Sequence, residues 1–123
     1  MSREIHIAES EWRVMEVLWE RPMQTIGEIR TALADSGWSD STIKTLVRRL
    51  VQKNLLGIDE KEANFRYYPL VEEDACKQQE TRQLLKRVYH GSVKKLLAGL
   101  VDSETLNERE VAELRRIIDC MED

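Results

Sequence analysis

Ser41, Thr45, Arg48 and Gln52 fall on one side of any helix that carries them, because about 100° per residue stacks positions three and four apart. Lys44 and Arg49 flank that side, and no acid interrupts it. Hydroxyls, an amide and cations are the groups that neutralise phosphates and hydrogen-bond base edges in a DNA groove. The chain carries no Gly-rich phosphate loop, no nucleophile motif and no metal triad. The chemistry on offer is therefore recognition, and no enzyme is expected.

The helix that positions these groups spans Ser39 to Lys53. Ile43, Leu46, Val47 and Leu50 form its buried stripe at i, i+3, i+4 and i+7. Ser39 is its N-cap, and Asp40 sits in the first turn, where the helix dipole favours an anion. Such a helix alone could be ordinary basic surface, and its neighbours decide the matter. A first helix is expected over Glu9–Glu20, with Trp12, Met15, Leu18 and Trp19 at helical spacing, ended by Arg21-Pro22. A second runs from Thr25 to Ser36, opened by a Thr25/Glu28 capping box and stopped by Gly37. Two short helices joined by a glycine-containing turn form a helix-turn-helix. Leu55–Glu60 and Phe65–Leu70 are short β-prone runs around a polar Lys61–Asn64 turn. Three helices followed by a hairpin is the winged-helix order, and Lys61 and Arg66 would lie on the wing, near a DNA backbone.

From Val71 the helical period returns. Leu84, Leu85, Val88 and Tyr89 make one stripe, and Val93, Leu96, Leu97 and Leu100 continue it beyond a break at His90-Gly91-Ser92. Asn107 with Glu110 is a second capping box, opening a last helix over Glu108–Met121 with Leu114, Ile117 and Ile118 on its apolar side. These helices are too thin to bury their own stripes, which predicts a second copy of the chain. A symmetric dimer presents two Ser39–Lys53 helices to a palindromic operator in double-stranded DNA. The expected architecture is mainly α with a small β-hairpin. A winged helix-turn-helix over 1–70 is followed by C-terminal dimerisation helices over 71–123.

At 123 residues with 41% apolar side chains, the chain can bury a core, and its 34% charged residues are a high share. The formal charge of −4 argues against nucleic acid and prompts a rival reading, a winged helix that binds only protein. Its distribution argues the other way. Ser39 to Arg66 holds six basic residues against four acids, and the chain from Val71 holds nine against twelve. A locally cationic helix in an acidic chain implies weak non-specific binding. No apolar run approaches about 18 residues, so no membrane insertion is expected. The N-terminus lacks the apolar core of a secretory signal, and two separated cysteines fit a reduced, cytoplasmic protein. His6, Cys76, His90 and Cys120 lack metal-ligand spacing, so no metal or cofactor is expected. A metal-responsive regulator is the alternative that these four residues leave open.

Five stretches together resemble the penicillinase, methicillin-resistance and copper-operon repressors of bacteria. They are Ala8–Trp19, Trp38–Leu50, Phe65–Glu73, Tyr89–Ser92 and Leu106–Ile118. The resemblance implies a dimeric winged-helix repressor of transcription. It implies DNA contacts from Ser41, Thr42, Lys44 and Thr45, with Arg48 and Arg49 as further candidates, and Ser39 at the cap of the same helix is counted among the DNA-binding residues. It also implies release by proteolysis in the C-terminal helices, at a bond corresponding here to Gly99–Leu100, with a membrane sensor-protease as partner. The copper-responsive members end in Cys-x-Cys, whereas this sequence ends Asp-Cys-Met-Glu-Asp. The family's wing often carries Gly-Arg where this chain has Ala63-Asn64.

Overall fold

The computed structural model describes residues 5–121. The elements run α1 (Glu9–Glu20), α2 (Ile26–Ala32), a 3-10 turn (Ala34–Ser36), α3 (Asp40–Gln52), β1 (Leu56–Asp59), β2 (Arg66–Pro69), α4 (Glu73–Tyr89), α5 (Val93–Asp102) and α6 (Glu108–Met121). They form two compact units, one reaching Gln79 and the other starting at Glu80.

The first unit is a winged helix. Val14, Met15 and Leu18 of α1, Ile29 and Leu33 after it, and Ile43, Leu46, Val47 and Leu50 of α3 meet in one core. Leu55 and Leu56 close it from the hairpin, and Cys76 brings the first turns of α4 into it. Each helix end has a local cause. Glu28 N donates to Thr25 Oγ1 (3.2 Å) and Thr25 N donates to Glu28 Oε1 (3.1 Å), the expected reciprocal cap of α2. The α-helix stops at Ala32, earlier than the pattern suggests. Ser36 Oγ donates to Leu33 O (2.6 Å) and accepts from Trp38 N (3.1 Å), which draws the chain into a 3-10 turn ending on left-handed Gly37. Ser39 caps α3 by accepting from Thr42 N (3.2 Å). At the other end Asn54 takes φ 62°, and Leu55 N reaches back to Leu50 O (2.9 Å).

The strands pair antiparallel, Leu56 opposite Pro69 and Asp59 opposite Arg66. Gly57 lies under the Tyr68 ring, and a Cβ there would be 2.5 Å from Tyr68 Cζ. Gln24 adds a third, one-residue strand. Its N donates to Tyr67 O (3.2 Å) and Tyr67 N donates to Gln24 O (2.8 Å). Its buried side chain donates to Val17 O and Arg21 O, so one residue closes α1 and anchors the wing.

In the second unit, His90 (φ 51°) and Gly91 (φ 85°) end α4, and Ser92 caps α5 by accepting from Lys95 N (3.1 Å). The break falls where the sequence places it. Asn107 and Glu110 form the second reciprocal cap, at 3.1 and 2.8 Å. Among the described residues, no side chain of α5 or α6 is buried. No helix in the described residues is long and apolar enough to cross a membrane.

Candidate nucleic-acid interface

α3 turns its apolar stripe into the core and leaves Ser41, Thr42, Lys44, Arg48, Arg49 and Gln52 exposed, with Thr45 half-buried. Its N-terminus carries a hydroxyl cluster centred on Ser39. Ser39 Oγ lies 3.1 Å from Ser41 Oγ and 3.1 Å from Thr42 Oγ1, besides capping Thr42 N. Thr45 Oγ1 donates to Ser41 O (2.8 Å), which commits its proton and leaves the oxygen as an acceptor. Asp40, the one acid of the helix, pairs with Arg30 Nη1 at 2.6 Å. Lys44, Arg48 and Arg49 hold no ion pair among the described residues. The face thus couples pre-oriented hydroxyls with three cations, and the one acid of the helix is held by another base. That combination suits a polyanion with hydrogen-bonding edges.

Lys53 belongs to the same basic stretch but points inward. Its Nζ is 2.6 Å from Glu11 Oε1 and 3.1 Å from His6 O, so α3 is bolted to the start of α1. Glu11 is only 1% exposed, and it also accepts from Ala8 N (2.8 Å). Nothing in the local period of the sequence marks Glu11 for burial.

The two wing cations take different places. Lys61 is exposed at the tip, between exposed Glu60 and Glu62, and its N donates to Asp59 Oδ1 (3.0 Å). Arg66 is half-buried and opens β2 at the loop end of the hairpin, opposite Asp59. Its Nη1 donates to Glu28 Oε1 (2.9 Å) and Met23 O (3.2 Å), and its Nε lies 3.6 Å from Glu62. With Arg66 engaged inside the fold, the tip is acid-rich, and among the described residues of the winged helix three of the four cations without an ion pair (Lys44, Arg48, Arg49 and Lys61) lie on α3. Glu28 is the hub, because Arg21 also pairs with its Oε2 at 2.8 Å. The Thr25 N–H holds the Glu28 carboxyl below its usual range, helped by the Thr25 hydroxyl and by Arg66 and Arg21 against partial desolvation.

The second unit carries the candidate dimerisation side chains. Leu84, Val88, Val93, Ile117 and Ile118 are exposed, and Leu85, Tyr89, Leu96, Leu97, Leu100 and Leu114 are half-buried. Gly99 and Leu100 lie within α5, and a Cβ at Gly99 would stand 3.3 Å from Tyr89 Oη. Among the described residues no three metal-ligating side chains converge.

The penicillinase repressor family model matches residues 7–120. The methicillin resistance regulatory protein MecI of Staphylococcus aureus strain N315 is 35% identical over 115 residues, spanning 91% of this chain and 92% of that protein. The penicillinase repressor of Staphylococcus aureus is 30% identical over 118 residues, 95% of this chain and 94% of its own. Among solved structures, the DNA-binding domain of the repressor BlaI superposes with a TM-score of 0.52 at 30% identity, covering 59% of this chain and 90% of that one. Monomeric Bacillus licheniformis BlaI in complex with the blaP half-operator gives 0.52 at 29% identity, covering 60% and 92%.

Proposed function

The chain belongs to the penicillinase repressor family, and on that premise we propose that it is a dimeric transcriptional repressor that occupies a palindromic operator. The observation that carries this reading is the exposed face of α3, which presents the Ser39 hydroxyl cluster at its N-terminus and, along its length, three cations with no ion pair among the described residues. Ser41, Thr42, Lys44 and Thr45 read the groove, with Ser39 holding the first two in place. Arg48 and Arg49 meet phosphates, as does Lys61 from the wing tip. Arg66 serves by holding the wing against α2. Residues 1–70 form the DNA-reading domain, and 71–123 form the dimerising part, whose first turns are pinned to the winged helix by buried Cys76.

Pairing of two copies is supported by the apolar side chains that α4, α5 and α6 leave uncovered in a single chain. Leu84, Val88, Val93, Ile117 and Ile118 are all exposed, Ile117 to 57% and Val93 to 55%. Release follows from loss of the dimer, through cleavage at Gly99–Leu100 by a membrane sensor-protease as in the family's β-lactam-responsive members. That bond lies in a helix, so α5 must open locally before a protease can hold it extended. The reading is tested by nuclease footprinting of the DNA upstream of the gene. Two protected half-sites, about one helical turn or a multiple of it apart, are expected. Protection that does not localise would refute it.

A further inference from the structure

Beside the reading face lies a notch of about 290 Å³, where the start of α2, one flank of α3 and the hairpin meet. Ile26, Val51, Ile58 and Tyr67 wall it, each half-buried with an outer surface left to the notch. Buried Val47 forms its floor. Lys44 and Arg48 stand on its rim, one turn apart, with no ion pair among the described residues. Phosphates would engage those two cations and leave the apolar walls unmatched. A solvated wing joint has no need of four apolar walls converging under two unpaired cations.

The geometry points to a second ligand for this notch: a compact amphipathic anion, one carboxylate or sulfonate on an apolar body of one or two rings. The volume lies at the lower end of small-molecule sites, about 300 Å³, which excludes larger ligands. The anionic group pairs with Lys44 and Arg48, and the body packs on Val51, Ile58 and Tyr67. Occupancy removes two of the three free cations of α3, so ligand and operator exclude one another, and the coupling is reciprocal. The exclusion rests on the proposed DNA-reading role of α3, whereas binding in the notch does not.

The test uses the full chain, isotope-labelled, titrated with naphthalene-2-sulfonate and followed by amide chemical shifts. The expected shifts cluster at Ile26, Lys44 to Val51, Ile58 and Tyr67. Affinity should fall at least tenfold in a Lys44→Gln/Arg48→Gln double variant, at least tenfold for neutral 2-methylnaphthalene, and should vanish in Val51→Trp, which fills the notch. Circular dichroism checks that the variants fold. Shifts confined to α5 and α6, or equal affinity for the neutral probe, would overturn the site. Adding the upstream DNA should reverse the shifts. DNA that binds without displacing the probe would overturn the exclusion, whereas DNA that fails to bind at all counts against the repressor reading and leaves the notch standing.

Discussion

Arg66, on the second strand of the wing, donates to Glu28 Oε1 at 2.9 Å, and that same oxygen accepts the Thr25 N–H at 3.1 Å. The cap of α2 and the second strand of the wing therefore share one carboxylate. Because Glu28 titrates below its ordinary value of 4.5, it binds its proton more weakly folded than unfolded. Its contribution to stability is complete above pH 4.5 and is lost as the pH falls through the lowered value. Thermal melts should show the midpoint falling across that acid range, and Glu28→Gln should flatten this part of the profile. An unchanged profile would remove Glu28 as the acid-sensitive tie.

Thr25→Ala removes the hydroxyl that accepts from Glu28 N. Loss of an N-cap of this kind costs about 1 kcal/mol. Urea unfolding followed by tryptophan emission measures it, since Trp12 and Trp19 pack against the core with their rings tilted and their centroids 5.7 Å apart.

Lys53→Met leaves Glu11 buried without its cation. Removing one partner of an enclosed ion pair costs about 3–5 kcal/mol, and roughly 2–3 kcal/mol is expected here because the Lys53 side chain is 35% exposed. The double variant Lys53→Met/Glu11→Gln should recover part of that loss. A single variant as stable as the parent would show that the pair does not secure α3 to α1.

Val93→Asp and Ile117→Asp place a charge on apolar faces that a single chain leaves open. Each should weaken dimerisation at least tenfold in sedimentation at micromolar concentration, while the far-ultraviolet spectrum stays helical. A dimer of undiminished strength in both variants would move the interface elsewhere.

Cys76 is 2% exposed, and burial raises its thiol above the usual range, so it should resist alkylation until the protein unfolds. Cys120, exposed near the end of α6, should react first in a timed maleimide titration analysed by mass spectrometry. Rapid modification of Cys76 in the native chain would contradict the docking of the first turns of α4 into the winged-helix core.

Local signals carried most of the architecture. The α1 and α6 spans, both capping boxes and the break at His90–Ser92 rest on contacts within a few residues, and those are written in neighbouring side chains. The unforeseen features join distant positions. Glu11 meets Lys53 across 42 residues, and Arg66 meets Glu28 across 38, so no window of sequence shows either pair. Arg66 read as a wing cation because its partner lies on another element. Gln24 gave no strand signal because its strand is one residue long, set by the left-handed turn at Met23 and by pairing with Tyr67. The α3 face was legible because its stripe and its exposed groups share one helical period.

The central claim is that α3 presents unpaired positive charge and fixed hydroxyls to one operator. The most direct measurement is fluorescence anisotropy of the full chain on its own upstream DNA and on unrelated DNA, across a salt series. The two phosphate-facing cations of α3, Arg48 and Arg49, doubled in a dimer, predict a slope of log K against log salt of about −4 from that face alone. Lys44→Ala should weaken specific binding by about 1–3 kcal/mol, and Arg48→Ala should lower the magnitude of the slope by about 1 per half-site. Equal affinity for both DNAs, with no salt dependence and no effect of either substitution, would contradict the account.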